Sequence, residues 1–214
     1  MERRCIQLYD RQDFTQKLLC HLLARHFQQV TVSDEPDYSN AELAHVHIRQ
    51  NIIYSHATAR INYTTYDIKR DFDVINCNTG RRDVMLKACD DIPTQHPFWY
   101  ARVLGIYHAN VYFGGSLKNQ SQRIDFFFVR WFGHDPDWKG GPAARRLDRI
   151  GWVPEHDASG AFGFLNPAYV VRACHLIPAF SEGKTTCLLS PSKMWDSRSG
   201  DWVNYYVSRS VILD

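Results

Sequence analysis

Four basic residues past the middle of the chain have the types and spacing needed to contact phosphate groups. They are Lys139, Arg145, Arg146 and Arg149. Lysine and arginine neutralise phosphate charge, and the nearby rings of Trp138 and Trp152 offer surfaces on which bases can stack. The alternative is a solvated charged surface without a ligand, which is the commoner role of such a cluster. The sequence therefore predicts a nucleic-acid-binding site at these four residues, with that alternative left open.

Aromatic residues are the second group with a chemistry of their own. The chain has six tryptophans and eleven tyrosines, which is more rings with a polar edge than a core of this size needs. Rings that converge at the rim of a barrel attract a methylated ammonium group through cation–π interactions. The candidates for such a ligand-binding aromatic rim are Trp99, Tyr100, Trp131, Phe132 and Trp152. The alternative for each ring is ordinary packing in the core.

The sequence contains no motif typical of cofactor binding, metal binding or nucleophilic catalysis. The segment Gly183–Thr185 resembles the end of a phosphate-binding loop, but Pro178 stands where that motif has a glycine and offers no backbone N–H. The ten histidines show no spacing typical of metal ligands, and no Gly-x-Ser-x-Gly elbow is present. We therefore predict no catalytic residue, no bound metal and no cofactor.

One carboxylate within an apolar segment, Asp125, invites comparison with metal-dependent nucleases. Those enzymes hold paired metal ions with two or three convergent carboxylates, and the spacing of the other aspartates does not place them beside Asp125. The simpler expectation is that Asp125 ends the apolar face of a strand on its solvent side, next to Arg102 or Arg123. A metal-dependent nuclease is therefore kept only as the third hypothesis.

Composition and charge indicate an ordered, intracellular protein. The 214 residues are 44% hydrophobic, which is enough for a core, and the net charge of 25 − 23 = +2 does not by itself indicate nucleic acid. The N-terminus lacks the apolar stretch of a signal peptide, and no run reaches the ~18 apolar residues of a membrane span. Six scattered cysteines without a Cys-x-x-Cys pair indicate reduced thiols. We expect no membrane association.

Hydrophobic periodicity predicts the elements that carry these residues. Apolar positions at helical spacing predict helices over residues 10–29 and 39–54, so that residues 1–57 form a helical annex. Residues 58–214 are predicted to form a β domain centred on two aromatic and β-branched strands, 98–107 and 123–132. Shorter strands are predicted at 60–66, 83–88, 150–153, 170–177 and 201–208. The predicted class is mainly β (α+β), a small barrel with long loops.

Several phrases of the chain resemble fungal proteins found with KDZ-type (Kyakuja–Dileera–Zisupton) DNA transposons. The resemblance covers roughly residues 45–208 and is carried by Ile61–Asp67, Tyr100–Val103, Val129–Gly133 and His175–Phe180. Ile61 departs from the family, which has valine there. In that family the segment looks like a C-terminal accessory region, and the transposase core is missing from this chain. The resemblance therefore implies a transposon-derived protein without autonomous transposition.

The strands around Tyr100–Val103 and Val129–Phe132 are also similar in layout to the bromo-adjacent homology (BAH) domain. That likeness implies a BAH-like β-barrel that binds chromatin or proteins, with Trp131 where some members have a cage tryptophan. Our first hypothesis is thus a non-enzymatic interaction module for a protein or chromatin partner, such as a histone tail, in the nucleus. The alternative is a nucleic-acid-binding accessory domain that contacts DNA.

Overall fold

The structure is a computed structural model, and it describes residues 3–4, 13–28, 38–65, 67–88, 96–114, 120–141, 144–154, 160–185 and 201–208. Within these ranges the helices are α1 (Asp13–His26) and α2 (Asn40–Leu43), and two 3-10 turns span Pro167–Tyr169 and Phe180–Glu182. The strands are β1 (Arg3–Arg4), β2 (Val46–His56), β3 (Thr58–Thr64), β4 (Arg70–Asn76), β5 (Asp83–Lys87), β6 (Phe98–Phe113), β7 (Gln122–His134), β8 (Arg149–Trp152), β9 (Phe162–Leu165), β10 (Val170–Ala173), β11 (His175–Pro178), β12 (Lys184–Thr185), β13 (Asp201–Trp202) and β14 (Asn204–Ser208).

The antiparallel pair β6–β7 is the centre of the fold, as the aromatic runs predicted. Tyr100 pairs with Phe132 at one end, and Val111 pairs with Gln122 at the other. The register shifts by one residue between Val103 and Gly105, which is a β-bulge. Both strands are longer than predicted. Strand β6 continues through His108 into a second apolar run that ends at Phe113.

The bulge changes which side chains share a face, because side chains alternate along a strand and paired residues point the same way. Before the bulge, Arg102 pairs with Arg130 on one face. After it, His108 pairs with Asp125, which lies on the opposite face. Gly105 fits this bend because a Cβ at that position would overlap the ring of Tyr107.

The main sheet follows the order β1-β2-β6-β7-β8-β14-β11, with β5 on β6, β10 on β5 and β9 on β7. Strand β6 thus pairs with β5 along its first third and with β2 beyond the bulge. The mainly β class with an α+β composition is confirmed. The strand order is open, however, and the described part of the chain contains no closed barrel.

The second predicted helix is wrong over most of its length. Ser39 and Glu42 form a capping box, in which Glu42 Oε2 accepts from Ser39 N at 2.8 Å, but α2 ends at Leu43. Residues 46–56 form β2 of the main sheet instead, because isoleucine and tyrosine side chains pack better on a pleated surface than on a weak helical stripe. Gln50 and Asn51 have positive φ where the β2 register shifts. The first predicted helix is confirmed as α1.

The core covers both faces of β6–β7, which explains their nearly continuous apolar sequence. On one face, Leu18 and Leu22 of α1 pack with Phe126, Phe128 and Phe164. On the other face, a second cluster includes Ala101, Val103, Phe127, Val129 and Leu165. Each such side chain contributes about 1.5–3 kcal/mol on burial. None of the described helices is both long and apolar enough to cross a membrane.

Cys20, Cys77 and Cys174 are free thiols, as the scattered cysteines predicted. Burial raises the pKa of Cys77 to about 12, and burial likewise raises the pKa of Cys174. Such thiols carry almost no thiolate at neutral pH and act as small apolar side chains.

Candidate functional site

Three of the four predicted nucleic-acid-binding residues lie on the surface of one loop. We define the basic loop as residues 135–148, between β7 and β8, of which 142 and 143 lie outside the described residues. Asp135 begins it with an Asx turn, since Asp137 N donates to Asp135 Oδ1 at 2.9 Å. Gly141 N donates to Arg146 O at 2.9 Å and closes the loop on itself. The loop is therefore built by its own backbone and Asx hydrogen bonds.

Arg149, the fourth predicted residue, is structural. Its Nε donates to Asp135 Oδ2 at 2.7 Å and its Nη1 to Glu182 Oε1 at 3.0 Å, with the guanidinium 4.5 Å from the centroid of the Trp138 ring. Burial alone would lower the pKa of Arg149, but hydrogen bonding to Asp135 and the charge of Glu182 raise it above its ordinary value. Arg149 thus anchors the basic loop to the turn at Phe180–Glu182.

Lys139, Arg145 and Arg146 are exposed, and none of them forms an ion pair within the described ranges. Arg146 lies 5.5 Å from the centroid of Trp138, whose Nε1 donates to Leu147 O at 2.9 Å. Arg145 holds φ of +50°, a left-handed conformation in which few non-glycine residues are found. The loop therefore presents three cations to solvent, and one of them, Arg146, lies beside a half-buried ring.

The five residues of the predicted aromatic rim belong to two separate clusters. Tyr100, Phe132 and Trp152 are buried together, and Phe132 stacks on Trp152 with ring centroids 4.2 Å apart. Trp99 and Trp131 are half-buried on the other face of β6–β7. The residues are not gathered into one rim, and whether any of them binds a ligand stays a prediction.

The buried rings already surround a cation of the chain itself. The Arg102 guanidinium lies 4.8 Å from the centroid of Trp152, 5.5 Å from that of Phe132 and 5.2 Å from that of Tyr205. Arg102 Nε and Nη2 donate to Asp83 at 2.7 and 3.2 Å, and Nη1 donates to Asp201 Oδ1 at 2.9 Å. We call Arg102, Asp83, Asp201 and Tyr205 the buried ion network. Its arginine occupies the space that a bound ammonium would need.

The electrostatics of this network follow from its burial. Burial raises the pKa of Asp201, against the opposing charges of Arg102 and Arg82. Burial would lower the pKa of Arg102, but the charge and hydrogen bonds of Asp83 keep it raised. Tyr205 donates to Asp201 Oδ1 at 3.2 Å, which adds a neutral hydrogen bond to the same carboxylate oxygen. These groups stabilise one another inside the fold.

A third polar cluster was not predicted from the sequence. His56, His108 and Asp125 offer ligand atoms that all lie within 4.8 Å of one another. His56 Nε2 and His108 Nδ1 are 2.6 Å apart, and the Tyr54 ring stacks on His108 at 4.7 Å and 9°. Asp125 pairs with Arg123, as the position of Asp125 at the solvent end of its strand predicted. Two members of this cluster, His56 and His108, lie outside the strands predicted from the sequence, and most of β2 was predicted to be a helix, so no sequence pattern connected the three residues.

Comparisons of the chain with protein-family models, with curated proteins and with solved structures find no match.

Proposed function

We propose that this chain is a non-enzymatic interaction module that contacts the phosphate groups of nucleic acid through its basic loop. The observation that carries the proposal is the exposure of Lys139, Arg145 and Arg146 without an ion pair in the described part of the chain. Asp137 is the exposed carboxylate of the loop, so the exposed positive charge exceeds the negative. Phosphate contacts release counterions, which drives binding without any need for base recognition.

Sequence-independent binding fits the aromatic residues of this region. Arg149 and Arg146 lie over the half-buried Trp138 ring, and Trp152 is buried, so both rings are already in contact with the chain itself. Trp138 instead positions the Arg146 side chain. The proposed contact is therefore with the backbone of duplex or single-stranded nucleic acid, with Kd values on the order of 10⁻⁴ to 10⁻⁶ M at physiological salt.

The test is a titration of short duplex and single-stranded DNA at several salt concentrations. Three phosphate contacts give a slope of about −2.7 for log K against log salt on duplex DNA. The double variant Arg145→Ala and Arg146→Ala should reduce the slope to about −0.9. Arg70→Ala with Arg81→Ala is the matched control, because it removes two exposed arginines outside the loop.

An unchanged slope in the control and a reduced slope in the loop variant support the proposal. Equal losses in the two double variants would mean that net charge alone drives binding. Absence of binding at low salt would end the nucleic-acid proposal.

A protein or chromatin partner is the second candidate, and one surface feature favours it. The Phe180 side chain is 68% exposed and meets Trp202 edge-on, with ring centroids 4.9 Å apart. The Lys184 Nζ lies 5.1 Å from the centroid of that Trp202 ring. Arg149 joins this turn to the basic loop, so exposed apolar and cationic groups are presented from linked segments. Titration with histone-tail peptides, comparing the wild type with Phe180→Ala, tests this candidate.

The proposed origin rests on the sequence segments that resemble KDZ-associated proteins, and the BAH likeness rests on the layout of the segments Tyr100–Val103 and Val129–Phe132. A transposon-derived accessory module, BAH-like and nuclear, is therefore the biological setting that we propose for either partner. Co-purification of the tagged chain with chromatin, and its release by salt or by nuclease digestion, would separate the two candidates. Release by nuclease indicates DNA contact, whereas retention indicates a protein partner.

A further inference from the structure

We infer that His56, His108 and Asp125 form a binding site for a divalent first-row transition-metal ion, with Zn²⁺ as the best match. This site goes beyond the proposed interaction function and uses none of its residues. It also departs from the sequence-based prediction of no metal, which rested on linear spacing. The ligands come together only through strand pairing.

The three side chains lie on one face of three adjacent strands. His108 of β6 pairs directly with Asp125 of β7. On β2, His56 is two residues beyond Tyr54, the partner of His108, and therefore points to the same face. Backbone hydrogen bonds between the three strands therefore fix the relative positions of these three residues. Sites built on strands hold their ligands more precisely than sites on loops.

The distances suit a metal ion after small side-chain rotations. Tetrahedral zinc with bonds of about 2.0–2.1 Å places neighbouring ligand atoms roughly 3.3 Å apart. The two imidazole nitrogens, at 2.6 Å, would separate by about 0.7 Å, and no other pair would approach by more than about 1.5 Å. Facing imidazole nitrogens can share only one proton, whereas a metal ion accepts a lone pair from each.

The surroundings orient the ligands and leave them reachable. The Tyr54 ring fixes the plane of His108, which is 4% exposed. Arg123 donates twice to Asp125 Oδ1, at 2.8 and 3.2 Å, and no described group donates to Oδ2. The Asp125 side chain is 52% exposed and His56 is half-buried, so that an ion can enter from solvent.

The donor set selects the class of ion. Two imidazoles and one carboxylate suit zinc and its transition-metal neighbours. Calcium and magnesium require mostly oxygen ligands, and only Asp125 supplies one. Three protein ligands leave a fourth position for water or for a group from a partner. Arg25 donates to the Asp125 carbonyl oxygen and Arg123 to the carboxylate, and their charge weakens the attraction for a cation.

The test is titration of the full-length chain, free of any histidine tag, with cobalt(II) chloride and then zinc chloride. Cobalt reports its coordination through visible absorption, and zinc should displace it with a stoichiometry of one per chain. His56→Ala and Asp125→Asn should each weaken binding by at least about 100-fold, since even outer-shell partners contribute 10–100-fold. His47→Ala is the matched control, because His47 is an exposed histidine on the same strand.

Each result decides between the metal site and a simple hydrogen-bonded histidine pair. Loss of binding in both ligand variants but not in His47→Ala supports the site. Absence of one-to-one binding in the wild type overturns it, and so does equal weakening in the control. If Asp125→Asn keeps full affinity while His56→Ala loses it, the three-ligand site is wrong. Circular dichroism of each variant confirms that the fold is retained.

A gain-of-affinity variant tests the same geometry without removing a ligand. Arg123→Gln frees the Asp125 carboxylate from its competing cation and should tighten zinc binding by about 1.5–5-fold, the range of a weak exposed ion pair. Unchanged or weaker binding would show that Asp125 does not ligate the ion.

Discussion

The two ends of the β6–β7 pair each carry a charged cluster, and the two clusters differ in burial and in the partners of their charged groups. At one end, Arg102 is 5% exposed and is enclosed by two carboxylates and three aromatic rings. At the other end, His108 and Asp125 meet across the strands, with the Asp125 carboxylate open to solvent. In the first cluster the chain itself supplies the cation and its counter-charges, whereas in the second three ligand atoms lie within 4.8 Å of one another.

The comparison separates a structural cluster from a candidate binding site. Aromatic rings, carboxylates and a cation are all present in the buried ion network, and the chain itself supplies each of them. The His56–His108–Asp125 cluster has fewer groups, but two of its imidazole nitrogens face each other at 2.6 Å and its three ligand atoms lie close together. Composition alone would favour the first cluster as a site, and geometry favours the second.

Removal of the buried cation gives the largest expected effect. Arg102→Ala leaves Asp83 and Asp201 buried without their counter-charge, and loss of one partner of a buried pair destabilises by about 3–5 kcal/mol. Urea denaturation measures this change in the free energy of unfolding. A loss below about 1 kcal/mol would mean that water reaches the buried ion network. The two charged clusters would then not differ in their access to solvent.

The bulge that separates the two ends should be the next most sensitive position. Gly105→Ala places a methyl group against the buried Tyr107 ring, and overpacking of this kind destabilises by about 1–3 kcal/mol. Since Tyr107 pairs with Ser55 on β2, the shift should also weaken metal binding at the neighbouring His56. Gly80→Ala is the control, because nothing lies near a Cβ at that position. Equal stability of both variants would contradict the bulge packing.

Sequence reasoning predicted several of the strands, but it assigned residues 46–54 of β2 to a helix, and it did not predict which polar side chains the strands bring together. The aromatic runs predicted β6 and β7, and alternation correctly placed Asp125 on the face of Phe127 and Val129. Strict alternation would also place Arg102 and His108 on one face. The bulge at Gly105 instead places Arg102 and His108 on opposite faces of the sheet. No single residue in the sequence predicts a bulge at this position.

The site partners were unpredictable for a related reason. Arg102 meets Asp83 and Asp201, which are 19 and 99 residues away in the chain, and spacing rules describe only local neighbours. His56 meets His108 at a separation of 52 residues. The basic loop was predictable because its residues are contiguous, but the pairing of Arg149 with Glu182 was not.

The pH dependence of Asp201 gives a smaller effect. It tests the burial that distinguishes the buried ion network from the His56–His108–Asp125 cluster. Burial raises the folded-state pKa of this carboxyl above its unfolded value, so the native state binds more protons between the two values. The contribution of Asp201 to stability therefore falls as pH rises through that acid window. The free energy of unfolding of wild type minus that of Asp201→Asn should decline with rising pH there. A flat difference would show that Asp201 is not desolvated.

The smallest expected effect belongs to the exposed ion pair at the open end. Arg123→Ala breaks the pair with Asp125, but both side chains are more than half exposed, and such pairs contribute about 0–1 kcal/mol. Water and salt ions replace the lost partner, so the unfolding free energy should change little, and the small change should be smaller still at high salt. Urea denaturation at low and high salt measures this. A loss comparable with that of Arg102→Ala would mean that Asp125 is held by Arg123 as tightly as Asp83 is by Arg102, and the carboxylate would then be unavailable as a metal ligand.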